Sequence, residues 1–408
     1  MTETASLSHA PASPAPTVAM TPHRFEVLDS LRGVCACMIV LLHFKTNGVI
    51  ANSTVVNNGF LFVDFFFVLS GFVIAASYGS KLAGGFSIPK FMALRLGRVY
   101  PLHFVMLMVF LAFELGFALF ASHAADRQPF TGTNSVESLI ASLLLIQIFV
   151  GPDGTYWNGP SWSIAAEVWT YLIFALAVRW LKRALVPACL AVAVACCIFL
   201  YFRTDRYLDV FHDGALARCL YGFSLGVVAY HLHGRLAEWR LPLAAATLIE
   251  LGAIAATLAI EIAGGSSPIS LAVPPVFFLV VLIFARQAGA VSRILALRPF
   301  LFVGALSYSI YMVHGFLEYR FVNVLSAIQR LSHGRLTLVE QTRDHNHIGG
   351  SALFGDAMSI LMLAIAIGAA FITYRLIEKP AQRWSRRRVL GSHPRRSTVA
   401  AEREAPTF

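Results

Sequence analysis

Ten stretches of the chain, roughly 28–46, 59–79, 97–120, 163–181, 184–202, 214–231, 241–262, 270–286, 300–322 and 353–377, are apolar over lengths near those needed to cross a lipid bilayer. A membrane helix needs about 20 such residues. In hydrocarbon only structures that satisfy their own backbone polar groups persist, which means helices or closed barrels. Runs of this length therefore predict an all-α, polytopic integral membrane bundle. Composition agrees: 13% of the 408 residues are charged, against roughly 25% in a soluble domain. The reading divides the chain into a disordered, Ala/Pro/Ser/Thr-rich tail at 1–24, one membrane domain at 25–380 and a basic tail at 381–408. The first residues lack the basic-then-apolar order of a signal peptide.

The formal net charge is +10. In a membrane protein this reads as the excess of Lys and Arg on cytoplasmic loops rather than as a nucleic-acid surface, so no nucleic-acid partner is expected. Lys81, Lys90, Arg95 and Arg98, then Arg179, Lys182 and Arg183, then Arg235 and Arg240, then Arg286, Arg293 and Arg298 fall on alternate connections. Ten transmembrane helices with both ends cytoplasmic satisfy that bias. An eleventh apolar run near 138–150 would reverse every later loop if it crossed, so it is expected to be re-entrant or interfacial. The outer loop 323–352 runs against the rule with Arg330, Arg335 and Arg343. All six cysteines fall within apolar runs and have no zinc-like spacing; no metal is expected.

Polar residues inside apolar spans are costly and mark function or a buried partner. The first span, LDSLRGVCACMIVLLHF, carries Arg32 and His43 eleven positions apart. At ~100° and 1.5 Å per residue they share a face and stand about 16 Å apart along the axis. Taken alone, Arg32 could snorkel to the interface and His43 could be an interfacial histidine. The second span places Asp64 level with His43, facing the bundle and a partner. Arg95 and Arg98, in LRLGRVYP, are spaced i, i+3 and share a face; with Arg32 they form a group suited to phosphate. The loop GPDGTYWNGPSWSIAAEVW brings Trp162 and Ser163 to a helix start, with Glu167 just inside. The ninth span carries Tyr308, Tyr311 and His314, with Tyr308 and His314 on different faces. Arg375 and Glu378, at the inner end of the tenth, read as a local stabilising pair. Arginines thus collect at one end and His43, Asp64, Glu167 and His314 toward the other.

These residues resemble the motifs of the membrane-bound acyltransferase-3 family, whose members O-acylate surface polysaccharides, O-antigen, Nod factors and macrolides. The matching stretches are LDSLRGVCACMIVLLHF, VDFFFVLSGFVI, RLGRVYPLH, GPSWSIAAEVWTYL, SYSIYMVHG and the closing EKP, spread over about 28–380. The resemblance implies that Arg32 and His43 are the functional Arg–His pair, and that Arg95 and Arg98 are the paired arginines. Trp162, Ser163 and Glu167 belong to the outer motif, Tyr308 and His314 to the late one. A C-terminal esterase-like domain found in many bacterial members is not expected here.

The resemblance implies a multi-pass enzyme of the bacterial inner membrane. It would move an acyl group, acetyl first among the candidates, from cytoplasmic acyl-CoA to a hydroxyl of an extracytoplasmic polysaccharide or lipid-linked glycan. Arg32, Arg95, Arg98 and Tyr308 are assigned to the donor, Trp162 and Ser163 to the acceptor. His43 is assigned as general base, with Asp64 or Glu167 to orient its tautomer and His314 as a further catalytic residue; an acyl-histidine intermediate is the competing mechanism. A transporter for polysaccharide or small anions is the rival from another class, since permeation routes use the same residue types.

Overall fold

The computed structural model describes residues 25–120, 128–150, 156–203, 205–236, 241–333, 337–341 and 346–391. The expected 1–24 tail, Arg240, Arg335, Arg343 and the chain beyond 391 lie outside them. Helices occupy all ten expected runs: α1 (Glu26–His43), α2 (Phe62–Ile74), α3 (Ile88–Phe120), α4 (Val136–Leu143), α5 (Ser161–Leu181), α6 (Leu185–Arg203), α7 (Ala215–Leu236), α8 (Leu243–Gly264), α9 (Val273–Phe284), α10 (Arg298–Leu331), α11 (Ala352–Thr373) and α12 (Lys379–Leu390), with α4 and α12 additional to the ten.

By length and apolarity seven helical runs among the described residues can cross a membrane; one of them, Ser161–Arg203, holds both α5 and α6. The chain reverses between those two at Lys182, which takes φ 46°, a left-handed conformation. α1 stands outside the seven because Glu26, Asp29 and Arg32 occupy its first two turns. The run containing α9, Pro268–Phe284, is short. The protein is an all-α, multi-pass membrane protein.

Side-chain pairings fix the direction of each helix. α1 runs parallel to α10, with Ser30 donating to the Leu295 carbonyl (2.7 Å) at one end and Phe44 against Phe321 at the other. α2 and α7 are parallel, through Asp64–Arg218 and Phe72–Tyr230. α5 runs with α7, through Trp162–Phe211 and Phe174–Phe223. α6 runs against α7, where Arg203 meets Asp213 at 2.8 Å. α11 opposes α10, through Phe302–Phe371. The start of α1 and the end of α11 therefore lie at one end of the bundle, called here the arginine end.

Two crossings are close enough to exclude any side chain. A Cβ on Gly33 of α1 would sit 2.6 Å from the Gly304 nitrogen of α10. A Cβ on Gly226 of α7 would sit 1.9 Å from the Val68 carbonyl oxygen of α2. Small residues of this kind let membrane helices gain packing where no hydrophobic drive exists between them.

The run near 138–150 descends along α3 and returns. Glu114 accepts from the Phe130 nitrogen (3.0 Å) and from Asn134 (3.3 Å). At the bottom, His103 donates to the Ser142 carbonyl (2.9 Å) and Tyr100 to that of Leu143 (2.9 Å). From Glu114 to Tyr100 is about 21 Å of helix axis. Leu145 turns the chain with φ 56°. Trp169 then donates to the Leu145 carbonyl (2.9 Å), and Gln147 to that of Ser161 (3.2 Å). Protein groups thus cover a non-helical backbone that lipid would leave unsatisfied. Two further departures concern the ends of late helices. α10 continues to Leu331, so the first part of the expected 323–352 loop is helical, and a small antiparallel ribbon follows, Val339–Gln341 against Asn346–Ile348. Residues 381–390, expected in the tail, belong to α12.

Candidate active site

At the arginine end, Arg95 and Arg98 of α3 line an open cleft together with Tyr78, Leu94, Gln382 and Arg386. Their i, i+3 spacing does what the sequence predicts: both guanidiniums face one space. Arg95 lies over the Tyr171 ring at 5.0 Å, and its Nε is buried without a hydrogen-bond partner. Arg98 shares its electrostatic surroundings with Arg95, Arg32 and Glu378. Arg32 is more committed: its Nε donates to Ser307 (2.7 Å), Nη2 to the Gly304 carbonyl (3.2 Å), and it pairs with Asp29 at 3.1 Å. It ties α1 to α10 as well as charging the cleft's flank. Glu378 accepts from Ser309 (2.7 Å) and Gln382 (3.0 Å), while Arg375 lies over the Phe371 ring at 4.9 Å.

From this cluster a column of polar side chains leads through the bundle. Tyr308 donates to the Val99 carbonyl, one residue from Arg98. The Tyr171 and Ser70 hydroxyls are 3.0 Å apart. Glu167, half-buried, is within electrostatic reach of Arg95 below it and of Tyr311 above it. One turn earlier on α5, the Ser163 hydroxyl stands 3.1 Å from the Pro160 carbonyl and 2.9 Å from the Tyr311 hydroxyl. Donating its one proton to the carbonyl leaves it to accept from the tyrosine.

The column ends at two histidines. His43 and His314 stack with ring centroids 5.2 Å apart and planes inclined by 30°. His314 is 1% exposed, with no well-formed hydrogen bond to either ring nitrogen. His43 retains an exposed face. Tyr311 lies 5.8 Å from His314. Sequence reading assigned both histidines to the site but not to each other; the parallel α1–α10 crossing at Gly33 and Gly304 brings them together. Tyr308 and His314 point to different neighbours, as their six-residue offset requires.

Asp64 has another partner. It is fully buried and receives Arg218 through Nε (3.1 and 3.2 Å) and Nη2 (2.7 Å). Arg218 also donates to the Phe60 carbonyl (2.8 Å) and lies over the Trp162 ring at 5.4 Å. The structure thus brings Asp64 and Trp162 to Arg218, not to the His43 ring. Arg218 escaped the sequence reading although a signal existed: a lone acid in one apolar span and a lone arginine in another ask to be paired. Arg386 was missed because it was read as tail.

Comparison with known proteins gives the family. The acyltransferase-domain family matches residues 25–373. Acyltransferase MdmB of Streptomyces mycarofaciens is 27% identical over 392 residues, covering 88% of each chain. Protein 2 in the picA locus of Rhizobium radiobacter is 31% identical over 187 residues, 40% of this chain and 85% of that one. No solved structure matches. The apolar helices and the family match together define a multi-pass membrane acyltransferase. The chain belongs to the acyltransferase-3 family and is an O-acyltransferase, so the transporter alternative gives way.

Proposed function

We propose that the protein moves an acetyl group from cytoplasmic acetyl-CoA to a hydroxyl of a glycan or lipid-linked glycan on the far side of a bacterial inner membrane. The single observation that carries this reading is the run of polar side chains from the Arg95–Arg98 cleft, where the Arg95 Nε is buried without an acceptor, to a stacked histidine pair at the other end. The arginine end is the cytoplasmic end in this reading, which agrees with the excess of Arg and Lys there, and the start of α1 and the end of α11 lie on that side.

The residues fit a phosphate-bearing donor. Arg95 has a buried nitrogen in need of an acceptor, and guanidinium forks match phosphate oxygens. Arg95 and Arg98 hold the charged end, with Arg32 adding field beside them, and Tyr308 lines the route. The distance from Arg32 to His43, about 16 Å, is one that a long thin thioester arm can bridge.

At the far end His43 acts as general base. It takes the proton of the acceptor hydroxyl as that oxygen bonds to the thioester carbonyl carbon. The carbon–sulfur bond then breaks, and the leaving thiolate takes up the proton as a free thiol. His314 holds the His43 ring by stacking, and Ser163 with Tyr311 forms the polar wall toward the acceptor. Glu167 supplies a carboxylate along this path, while Asp64 and Trp162 act through Arg218 to position α2, α5 and α7. General-base catalysis is worth roughly 10²–10⁴-fold. Transfer from radiolabelled acetyl-CoA into surface glycan by membranes is the test. His43→Ala should lose activity by that factor while remaining folded; equal labelling by wild type and variant would end the proposal.

A further inference from the structure

The basic stretch after the last membrane helix is docked. α12 lies across the start of α3, where Ser385, buried, donates to the Ala93 carbonyl at 3.2 Å. Gly97 faces it so closely that a Cβ there would stand 2.1 Å from the Ser385 Oγ and 2.3 Å from its Cβ. At the other end a π-turn, Tyr374–Glu378, leads into α12. There Glu378 bonds both Ser309 of α10 and Gln382 of α12. Two anchors on different helices therefore fix the position and rotation of α12.

That rotation decides which of its charges matter. Gln382 and Arg386 are spaced i, i+4 and share a face, and both line the cleft with Arg95 and Arg98. Arg386, Arg387 and Arg388 are all exposed, and of the three Arg386 alone lines the cleft. The cleft gathers three arginines with no carboxylate on its wall. Arg95 contributes a buried donor without an acceptor, and Arg98 stands in the repulsive field of Arg95 and Arg32. Like charges are held together at a cost, and an anion with several oxygens relieves both the repulsion and the missing acceptors.

We propose that Arg386, supported by Gln382, is a third phosphate-binding residue for the nucleotide end of the acyl donor, and that α12 forms one wall of the donor site. This rests on the acyl-CoA reading above. Equilibrium binding of acetyl-CoA to the detergent-purified full chain tests it by calorimetry without requiring turnover. Arg386→Gln should bind about ten-fold more weakly, which corresponds to about 1.4 kcal/mol, whereas Arg387→Gln should match wild type. Gly97→Ala should also weaken binding by forcing α12 away from the cleft, and Gly97→Ala with Ser385→Gly should restore it by removing the clash. Wild-type affinity in Arg386→Gln overturns the proposal while leaving the donor reading intact. Equal losses in the Arg386 and Arg387 variants overturn it too, reducing the effect to general charge. Unchanged acetyl-CoA binding with lost binding to phosphatidylglycerol micelles would reassign the residue to a lipid headgroup. Failure of wild type to bind acetyl-CoA at all would remove the donor reading itself.

Discussion

Breaking the Asp64–Arg218 pair separates a structural role for Asp64 from a catalytic one. Both side chains are fully buried, so neither charge can turn to water when its partner is lost. Asp64→Asn keeps the volume but leaves the Arg218 guanidinium without a counter-charge. Removing one member of a buried ion pair costs about 3–5 kcal/mol. Arg218→Met should cost a similar amount by stranding the carboxylate. Asp64→Leu with Arg218→Met removes both charges. What remains are the Phe60 and Val210 carbonyls, which lose donors that stood 2.8 and 3.4 Å away, a loss of about 1–3 kcal/mol for each carbonyl left unsatisfied. The double variant should therefore be less damaged than the sum of its single changes. Thermal unfolding in detergent, read alongside transfer rate per folded molecule, supplies the measurement. Two results refute the reasoning. One is strict additivity of the effects. The other is an Asp64→Asn protein with wild-type thermal stability and no activity, which would place Asp64 in the chemistry.

Three further outcomes are expected. Arg95→Gln with Arg98→Gln should raise the apparent KM for acyl-CoA by about 10²-fold, as two charge-assisted bonds are lost, and leave the acceptor KM unchanged; a change confined to the acceptor would oppose the assignment. Gly33→Ala should destabilise the protein by about 1–3 kcal/mol and lower transfer, because its Cβ would meet backbone atoms of α10 at 2.6 Å and part His43 from His314; a stable, fully active variant would show that the crossing tolerates separation. His103→Leu should leave the Ser142 carbonyl without its buried donor, costing about 1–3 kcal/mol, and should expose the 136–150 segment to proteolysis. Unaltered digestion would argue that this bond does not hold the dip in place.

Much of the architecture is legible along the chain because a bilayer imposes a one-dimensional rule: a helix must stay apolar for its whole crossing. That rule locates the ten helical runs, and the charge bias of the loops between them argues that 138–150 does not cross. Helical geometry alone puts Arg95 and Arg98 on one face and keeps Tyr308 and His314 on different ones. The motifs around Arg32 and His43 carry the family.

Tertiary structure decided which separated residues meet. Asp64 and Arg218 are 154 positions apart, and periodicity shows only that each needs a partner, not which one. The stacking of His43 on His314 depends on how closely two glycines let α1 and α10 approach. The dip of 136–150 is held by side chains of α3 and α5 that a local reading cannot connect to it. The arginine run at the C-terminus reads as solvated tail until Gly97 is seen to leave room for Ser385. Solvation by lipid acts on each segment separately and so is written in sequence; pairing and close packing act between segments and exist only in the assembled bundle.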